Sequence, residues 1–289
     1  MTSSARRAGV LIFWDYDTQW GADRSRSGGG AKTWGGLEFP NTEQLLKIHA
    51  HYHVPACFAV VGAAAQPGAR PYHDPAQIRE IHANGHEVAS HSFRHDWLPG
   101  LSRQKLVDDL RRSKAALEDC LSYPVVSFVP PFNQPRDYPS RLSISLEERR
   151  KAGKQRTGLR QLCECLYATG FRFGRISYRP LPFRLFDWAT SHRRHTGAKL
   201  EVIEGVSCLR TNTEGGFAAG TTAVLDHCVR EGGLVVAAAH PHGLSGSSSQ
   251  SRAHLERFLG LVNEYRSQGK LDVLLPRQLL EGQRGQIAC

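Results

Sequence analysis

The sequence lacks any apolar run close to the roughly 20 residues that a membrane-spanning helix requires. Its hydrophobic fraction of 40% and its charged fraction of 22% are ordinary for a globular protein. After Arg6 and Arg7, the apolar stretch Gly9–Trp14 ends at Asp15, so it is too short for the core of a secretory signal. We therefore expect a cytoplasmic protein with no membrane span.

The sequence also lacks a disulfide framework and a serine nucleophile motif. Its cysteines number seven, an odd count, and they are scattered through predicted strands and helices, which is typical of reduced thiols. Cys163 and Cys165 are too close together for a zinc ribbon. No G-x-S-x-G sequence is present, so nothing supports a serine hydrolase of the α/β type.

Positive charge is in excess, with a formal net charge of +10 and a pI near 9.5. The basic residues concentrate between Arg136 and Arg160, with no recognition module or aromatic platform beside them. We therefore expect no nucleic-acid partner. The basic segment is interpreted as a solvated loop or as a rim that attracts an acidic substrate.

Short apolar runs alternate with segments of helical period, which predicts repeated βα units around a parallel sheet in one domain over residues 1–289. The predicted strands are Val10–Trp14, Ala56–Val61, Glu87–Ser90, Val125–Val129, Arg172–Ile176, Leu200–Ile203, Leu234–Ala239 and Asp272–Leu274. The predicted helices are Thr42–Tyr52, Pro75–Ala83, Ser102–Leu121, Leu159–Thr169, Thr221–Glu231, Arg252–Gln268 and Pro276–Gln283. Two stretches, Gly21–Phe39 and Pro130–Thr157, are predicted to be irregular and to form site walls or to be disordered.

Acidic and imidazole side chains follow three of the predicted strands. The first strand runs into Asp15 and Asp17, the third into His91 and His95, and a late strand into His240-Pro-His. Because active sites of parallel α/β proteins gather at the carboxyl ends of strands, a barrel would bring these side chains together.

His91 and His95 are four positions apart, a spacing that lets two imidazoles share a metal ion from one side of a helix or tight turn. A carboxylate from another strand would complete a two-histidine, one-carboxylate site with open positions for water and substrate. Taken alone, an H-x-x-x-H spacing is also typical of an exposed helix face.

The surrounding residues make the pattern more specific. The stretch Gly85–His95, the helix opening Leu101–Lys105 and the segment Phe128–Asn133 together resemble the polysaccharide deacetylase family, and the resemblance extends from about Gly9 to Gly243. It implies an α/β fold, a distorted (β/α) barrel of about seven parallel strands.

The resemblance also implies roles for individual residues. The implied metal ligands are Asp17, His91 and His95. Asp15 would be the general base, and His240 would be the acid that protonates the departing amine, with His242 as a second choice. The alternative for the two aspartates is an Asx-capped turn, and for His240 a buried structural histidine.

Supporting or substrate-binding residues follow from the same resemblance. They are Pro131, Phe132 and Asn133, the Asp187-Trp188 pair and His242. The family's arginine just before the Pro-Pro turn, which would hold the base, is Val129 here. Arg136 and Arg175 are candidates to replace it. Asp187 and Trp188 have an equally good interpretation as an ordinary loop aspartate and a core tryptophan.

The implied function is metal-dependent removal of an N-acetyl group from an amino sugar in a glycan, glycolipid or nucleotide-sugar precursor. The alternatives are hydrolysis of an N-formyl sugar or a cyclic ureide on the same site, or a catalytically silent carbohydrate-binding protein. One divalent ion is expected, Zn²⁺ first, with Co²⁺, Ni²⁺, Mn²⁺ or Fe²⁺ also compatible with the ligands. The expected partner is a small amide substrate, and the oligomeric state stays open.

Overall fold

The strands of the protein form one curved sheet with helices packed against it. The computed structural model describes residues 7–25, 33–136, 149–150, 152–176 and 197–287. The strands are β1 (Ala8–Tyr16), β2 (Cys57–Val60), β3 (Glu87–Ser90), β4 (Ser127–Phe128), β5 (Phe173–Ile176), β6 (Leu200–Ile203), β7 (Val206–Arg210), β8 (Leu234–Ala239) and β9 (Leu271–Val273). The helices are α1 (Thr18–Arg24), α2 (Gly35–Tyr52), α3 (Pro75–Ala83), α4 (Arg103–Leu121), α5 (Leu159–Ala168), α6 (Ala219–Glu231), α7 (Arg252–Ser267) and α8 (Pro276–Ile287).

The order of strands in the sheet is β6-β7-β5-β4-β3-β2-β1-β8, with β9 pairing to the first residues of β1. All these pairings are parallel except β6 with β7, which is antiparallel. Parallel strands joined by helices place the helices on the outer face and the strand carboxyl ends at one rim. The functional side chains are therefore expected at that rim.

The two ends of the sheet approach each other and nearly close a barrel. Ala198, just before β6, forms an isolated antiparallel bridge with Leu234 of β8. After β7, the Asn212 side chain donates to the Leu234 carbonyl (3.0 Å) and accepts from the Val236 amide (2.9 Å). The predicted distorted barrel is confirmed, with side-chain bonds completing the closure where a continuous backbone ladder would run.

The interior of the barrel is filled by apolar side chains, a cluster that includes Leu11, Phe13, Cys57, Ala59, Ala89, Val129, Phe173, Leu209 and Val236. Because side chains alternate across a strand, the residue two positions after each of these faces the same interior one layer higher. Phe13 is followed in this way by Asp15, Ala89 by His91 and Phe173 by Arg175. These apolar side chains thus form the floor of the barrel, and the polar side chains of the site lie above them.

The outer layer is formed by apolar helix faces packed against the sheet. In α4, Leu106, Leu110 and Leu117 are fully buried, as their spacing predicts. Burial of each such side chain contributes about 1.5–3 kcal/mol. No described helix combines the length and the apolar character needed to cross a membrane.

Two predictions about local structure are wrong. The stretch Gly21–Phe39, predicted to be irregular, holds the end of α1 and the first turn of α2. Pro40 is the sixth residue of α2, so the helix lacks the backbone bond that an N–H at this position would donate to the Gly36 carbonyl. The strand β7 was not predicted at all. It follows β6 through a turn in which Glu204 (φ 47°) and Gly205 (φ 80°) both have positive φ, as a two-residue hairpin turn requires.

Candidate functional site

The described residues bring Asp17, His91 and His95 together at the rim of the barrel. Oδ1 of Asp17 lies 3.3 Å from Nε2 of His91 and 3.5 Å from Nε2 of His95. The three ligand atoms all lie within 4.8 Å of one another, and all three side chains are buried. A buried carboxylate and two imidazoles converging on one point form a candidate metal site.

The hydrogen bonding of these groups fits a metal ion. Nδ1 of His91 lies 2.7 Å from the Val129 carbonyl and donates to it, which fixes the tautomer and leaves Nε2 free to ligate. Oδ1 of Asp17 is buried without a hydrogen-bond partner. Buried polar atoms of this kind are rare unless a ligand or water satisfies them. The site therefore has the donor set and the unmet bonding capacity for a divalent cation.

The His91–His95 segment is a tight turn braced by α4. Ser92 (φ 64°) and His95 (φ 59°) both take the left-handed conformation, which is costly for residues other than glycine. The Phe93 amide donates to both carboxylate oxygens of Asp109 at 3.2 Å, and the Ser113 hydroxyl donates to the Ser92 carbonyl at 2.9 Å. These bonds hold the turn in the conformation that aims both imidazoles inward.

Asp17 is held by the turn from β1 into α1. A side chain at Gly21 would place its first carbon 2.5 Å from Cβ of Asp17, so glycine leaves the space that this carboxylate occupies. Thr18, the next residue along from Asp17, has a φ of 56°, an outlier for a β-branched residue. Strained backbone thus flanks the candidate ligands on both segments, as is common at functional sites.

Asp15 lies beside this cluster and is bound by Arg175. The guanidinium donates from NH1 to Oδ1 at 2.8 Å and from NH2 to Oδ2 at 2.7 Å, with both side chains buried. Arg175 NH2 also donates to Oδ1 of Asn133 at 3.2 Å. Of the two arginine candidates, Arg175 therefore holds Asp15. It reaches from β5, next to the strand that precedes Val129.

Charge and burial compete in setting the proton affinities of the site. Burial alone would raise the pKa of Asp15, but the positive charge of Arg175, with smaller contributions from His91 and His240, lowers it below its ordinary value. For Asp17, burial is likewise outweighed by His95 and His91, so its pKa is also lowered. Burial lowers the pKa of His95 to about 4, which keeps this imidazole neutral, as a metal ligand must be.

The late histidines face the cluster from the loop after β8. Nε2 of His240 lies 4.0 Å from Oδ2 of Asp17, and its side chain is 37% exposed. His242 is more buried, and its ring lies 5.1 Å from that of His240. His240 is thus a partly exposed side chain beside the candidate metal site, and its role as the acid stays a prediction.

Sequence reasoning missed Glu38, a fully buried residue in the first turns of α2. Burial and the negative charge of Asp17 raise the pKa of Glu38 well above its ordinary value. Oε2 of Glu38 lies 3.7 Å from Nδ1 of His242, whose other neighbour is the stacked indole of Trp34 at 4.0 Å. A prediction that α2 starts at Gly35 would have placed Trp34 and Glu38 on one helix face. That shared face is the signal by which Glu38 could have been found.

The remaining predicted site residues are placed as follows. Phe132 (φ 58°) and Asn133 (φ 52°) lie in a strained turn, and the Phe132 ring contacts His95 edge-on with 4.6 Å between centroids. Pro131 is buried at the start of the same turn. Asp187 and Trp188 lie outside the described residues.

This geometry defines an α/β-barrel protein with a two-histidine, one-carboxylate candidate metal site at its strand ends. The family model for polysaccharide deacetylase matches residues 36–148, a range that contains His91, His95 and the turn at Pro131. Together with the fold, this match confirms the resemblance to the polysaccharide deacetylase family. Deacetylation is the general activity that the match supports.

Solved structures show the same fold at low sequence identity. A candidate polysaccharide deacetylase from Mycobacterium smegmatis is 18% identical with a TM-score of 0.65, covering 99% of this chain and 93% of its own. One from Pseudomonas aeruginosa PAO1 is 15% identical with a TM-score of 0.61, covering 95% and 89%. The Puue allantoinase is 14% identical with a TM-score of 0.59, covering 93% and 87%. No curated protein sequence matches the chain.

Proposed function

We propose that the protein is a metal-dependent hydrolase that removes an N-acetyl group from an amino sugar in a glycan, glycolipid or nucleotide-sugar precursor. The observation that carries the proposal is the buried convergence of Asp17, His91 and His95 beside an arginine-held Asp15. The divalent ion is expected to be Zn²⁺, because nitrogen and carboxylate ligands suit it, although Co²⁺, Ni²⁺, Mn²⁺ and Fe²⁺ fit the same donors.

The roles of the residues follow from their surroundings. Asp17, His91 and His95 would hold the cation, which when bound supplies Lewis-acid activation of water and of the amide carbonyl. Asp15, ionised and oriented by Arg175, accepts the proton that the attacking water loses. His240, partly exposed beside Asp17, donates a proton to the departing amine so that the C–N bond can break.

A second candidate is hydrolysis of another amide at the same residues, either an N-formyl sugar or a cyclic ureide. The fold shared with the Puue allantoinase supports keeping this candidate. The two candidates differ only in the group released, so substrate screening separates them.

The deciding experiment is metal analysis of the purified protein combined with three assays, for acetate, formate and ring opening. About one divalent ion per chain with acetate release would support the deacetylase, and formate or ring-opened product would support the second candidate. A protein that carries the ion but hydrolyses none of the three substrate classes would contradict both and favour the catalytically silent carbohydrate-binding protein.

A pocket next to the turn that carries His95 offers a further clue to the substrate. A pocket of about 450 Å³ is lined by Trp97, Gly100, Gly153, Lys154 and Arg156. Trp97 follows His95 by two positions, and its indole N–H donates to Gln134, the residue after Asn133, at 2.7 Å. Through this bond, a residue that lines the pocket connects the turn at His95 with the turn at Asn133. An aromatic ring with two cations suits a sugar that carries a carboxylate or phosphate.

We predict that removing both cations with K154A/R156A raises KM for an anionic N-acetyl substrate by roughly 2- to 30-fold, because exposed ion pairs contribute about 0.2–1 kcal/mol each. KM for a neutral analogue should not change. Steady-state kinetics at low and high salt provides the measurement, since the difference should shrink as salt screens the charges.

The matched control is R7A/K270A, which removes two positive charges near the start of β1, at the opposite end of the barrel from the site. If the control raises KM as much as K154A/R156A does, net charge rather than this pocket is responsible. Equal effects of K154A/R156A on anionic and neutral substrates would also count against the prediction.

A further inference from the structure

One face of α2 lies against the loop that carries the late histidines. Trp34, Glu38 and Asn41 follow one another at helical spacings of four and three positions, so they share this face. Asn41 donates to the Pro241 carbonyl at 2.9 Å and to the Ser245 hydroxyl at 2.8 Å. These bonds fix the loop on both sides of His242.

In the loop that Asn41 holds, the His242 ring lies between an aromatic face and a carboxyl group. The indole of Trp34 stacks on it with 4.0 Å between centroids and an interplanar angle of 23°. Oε2 of Glu38 lies 3.7 Å from Nδ1 of His242. That separation is longer than a hydrogen bond but close enough to become one with a small movement of either side chain.

The Glu38 carboxyl group is buried but poorly satisfied. Its carboxyl group faces the backbone amides of Asp17 and Thr18, yet neither oxygen makes a hydrogen bond of ordinary length and angle. Nδ1 of His242 is also buried and unpartnered. A fully buried carboxyl group without partners destabilises a fold, so its presence beside the site calls for a functional explanation.

We propose that Glu38 is a positioning residue that engages Nδ1 of His242 and holds the imidazole against Trp34, so that Nε2 of His242 is presented to the bound substrate beside His240. This inference rests on the proposed function. It adds a residue from α2 to a site otherwise built from strand ends, and it gives His242 a binding role separate from the proton donation by His240.

Comparing E38M with E38Q tests this proposal. Glutamine can still hydrogen-bond to Nδ1, whereas methionine fills the same space and cannot. We expect E38M to lower kcat/KM by about 10- to 100-fold, the usual effect of removing a group that orients a site residue. E38Q should retain most of the activity. Because methionine removes a buried, unpartnered polar group, E38M should keep or raise Tm and keep its metal content.

The control is E43Q on the same helix. Glu43 is half exposed and pairs with Arg70 at 3.2 Å, away from the site, so this variant should behave like the parent protein. Unchanged kcat/KM in E38M would overturn the proposal. Equal losses in E38M and E38Q with falling Tm would overturn it as well, because they would indicate a purely structural role.

Nitrogen-15 NMR of the histidine side chains gives a readout that needs neither turnover nor the E38M variant. In the parent protein, His242 should show one predominant tautomer, and E38Q should perturb its Nδ1 signal more than its Nε2 signal. An averaged signal from two tautomers in the parent would overturn the proposal even if E38M did not fold. If the NMR result holds but no substrate is hydrolysed, the proposed function fails and the positioning by Glu38 stands.

Discussion

Replacing Arg175 with methionine is expected to reduce kcat/KM by about 100-fold or more, because Asp15 would lose both of the bonds that orient it. The guanidinium binds the two carboxylate oxygens at 2.8 and 2.7 Å in a buried environment. A group that orients a site residue typically contributes 10–100-fold, and the general base itself about 10²–10⁴-fold. Removing one partner of a buried ion pair should also cost about 3–5 kcal/mol of stability. Steady-state kinetics and thermal unfolding measure the two effects.

The pH dependence of R175M should shift in a defined direction. In the parent, burial raises the pKa of Asp15, but Arg175 is the largest of the charges that bring it below its ordinary value. Asp15 therefore contributes stability above the pKa of an unfolded aspartate, about 3.9, and that contribution is lost as pH falls. Without Arg175 the pKa of Asp15 rises, so the acid limb of the kcat/KM profile should move to higher pH.

The matched rescue is the double variant V129R/R175M, which returns an arginine to the position where the family has one. Val129 is fully buried on the floor of the barrel, next to the strand that carries Arg175. Partial recovery of kcat/KM in the double variant would show that the base needs a guanidinium from either strand. Parent-like activity in R175M alone would disprove the role assigned to Arg175.

The sequence could predict the candidate ligand cluster, but it could only name Arg175 beside Arg136 as a possible tether for Asp15 and could not choose between them. Asp17, His91 and His95 each belong to a local motif at a strand end, and parallel topology alone brings strand ends together. The Asp15–Arg175 contact joins residues 160 positions apart, and it depends on which strands are neighbours and in which register. Asp15 is on β1 and Arg175 is on β5, with β2, β3 and β4 between them in the sheet, so the contact depends on how the whole sheet curves, which no local pattern encodes.

Sequence reasoning missed Glu38 for a different reason. Nothing before α2 caps it in a recognisable way, since its N-cap residue Trp34 makes no side-chain capping bond, and Pro40 lies inside it. Local rules therefore favoured a later helix start at Thr42. Tertiary packing decides otherwise, because the first turns of α2 are clamped to the loop after β8 by Asn41. A residue whose importance comes only from that packing is not visible in the sequence.

The second large effect is expected from two substitutions that distinguish the proposed metal ligands from the proposed general base. Asp15→Asn should retain the metal ion and lose turnover by about 10²–10⁴-fold, because the amide cannot accept the proton of the attacking water. His91→Ala should lose both, since one of three protein ligands is gone. Metal content of the purified variants and acetate release from an N-acetyl sugar are the two measurements.

The geometry gives this pair of variants its discriminating power. Both oxygens of Asp15 already accept bonds from Arg175, whereas Oδ1 of Asp17 is buried, unpartnered and within 3.5 Å of both imidazoles. Asp17 therefore offers the cation an oxygen that makes no other bond, whereas each Asp15 oxygen keeps one lone pair beside its bond from Arg175, which is enough to accept a proton. His51→Ala, which removes an exposed histidine from α2, controls for adventitious metal binding and should leave metal content unchanged. Loss of metal from D15N would make Asp15 a ligand, and full turnover in D15N would assign the base to another residue.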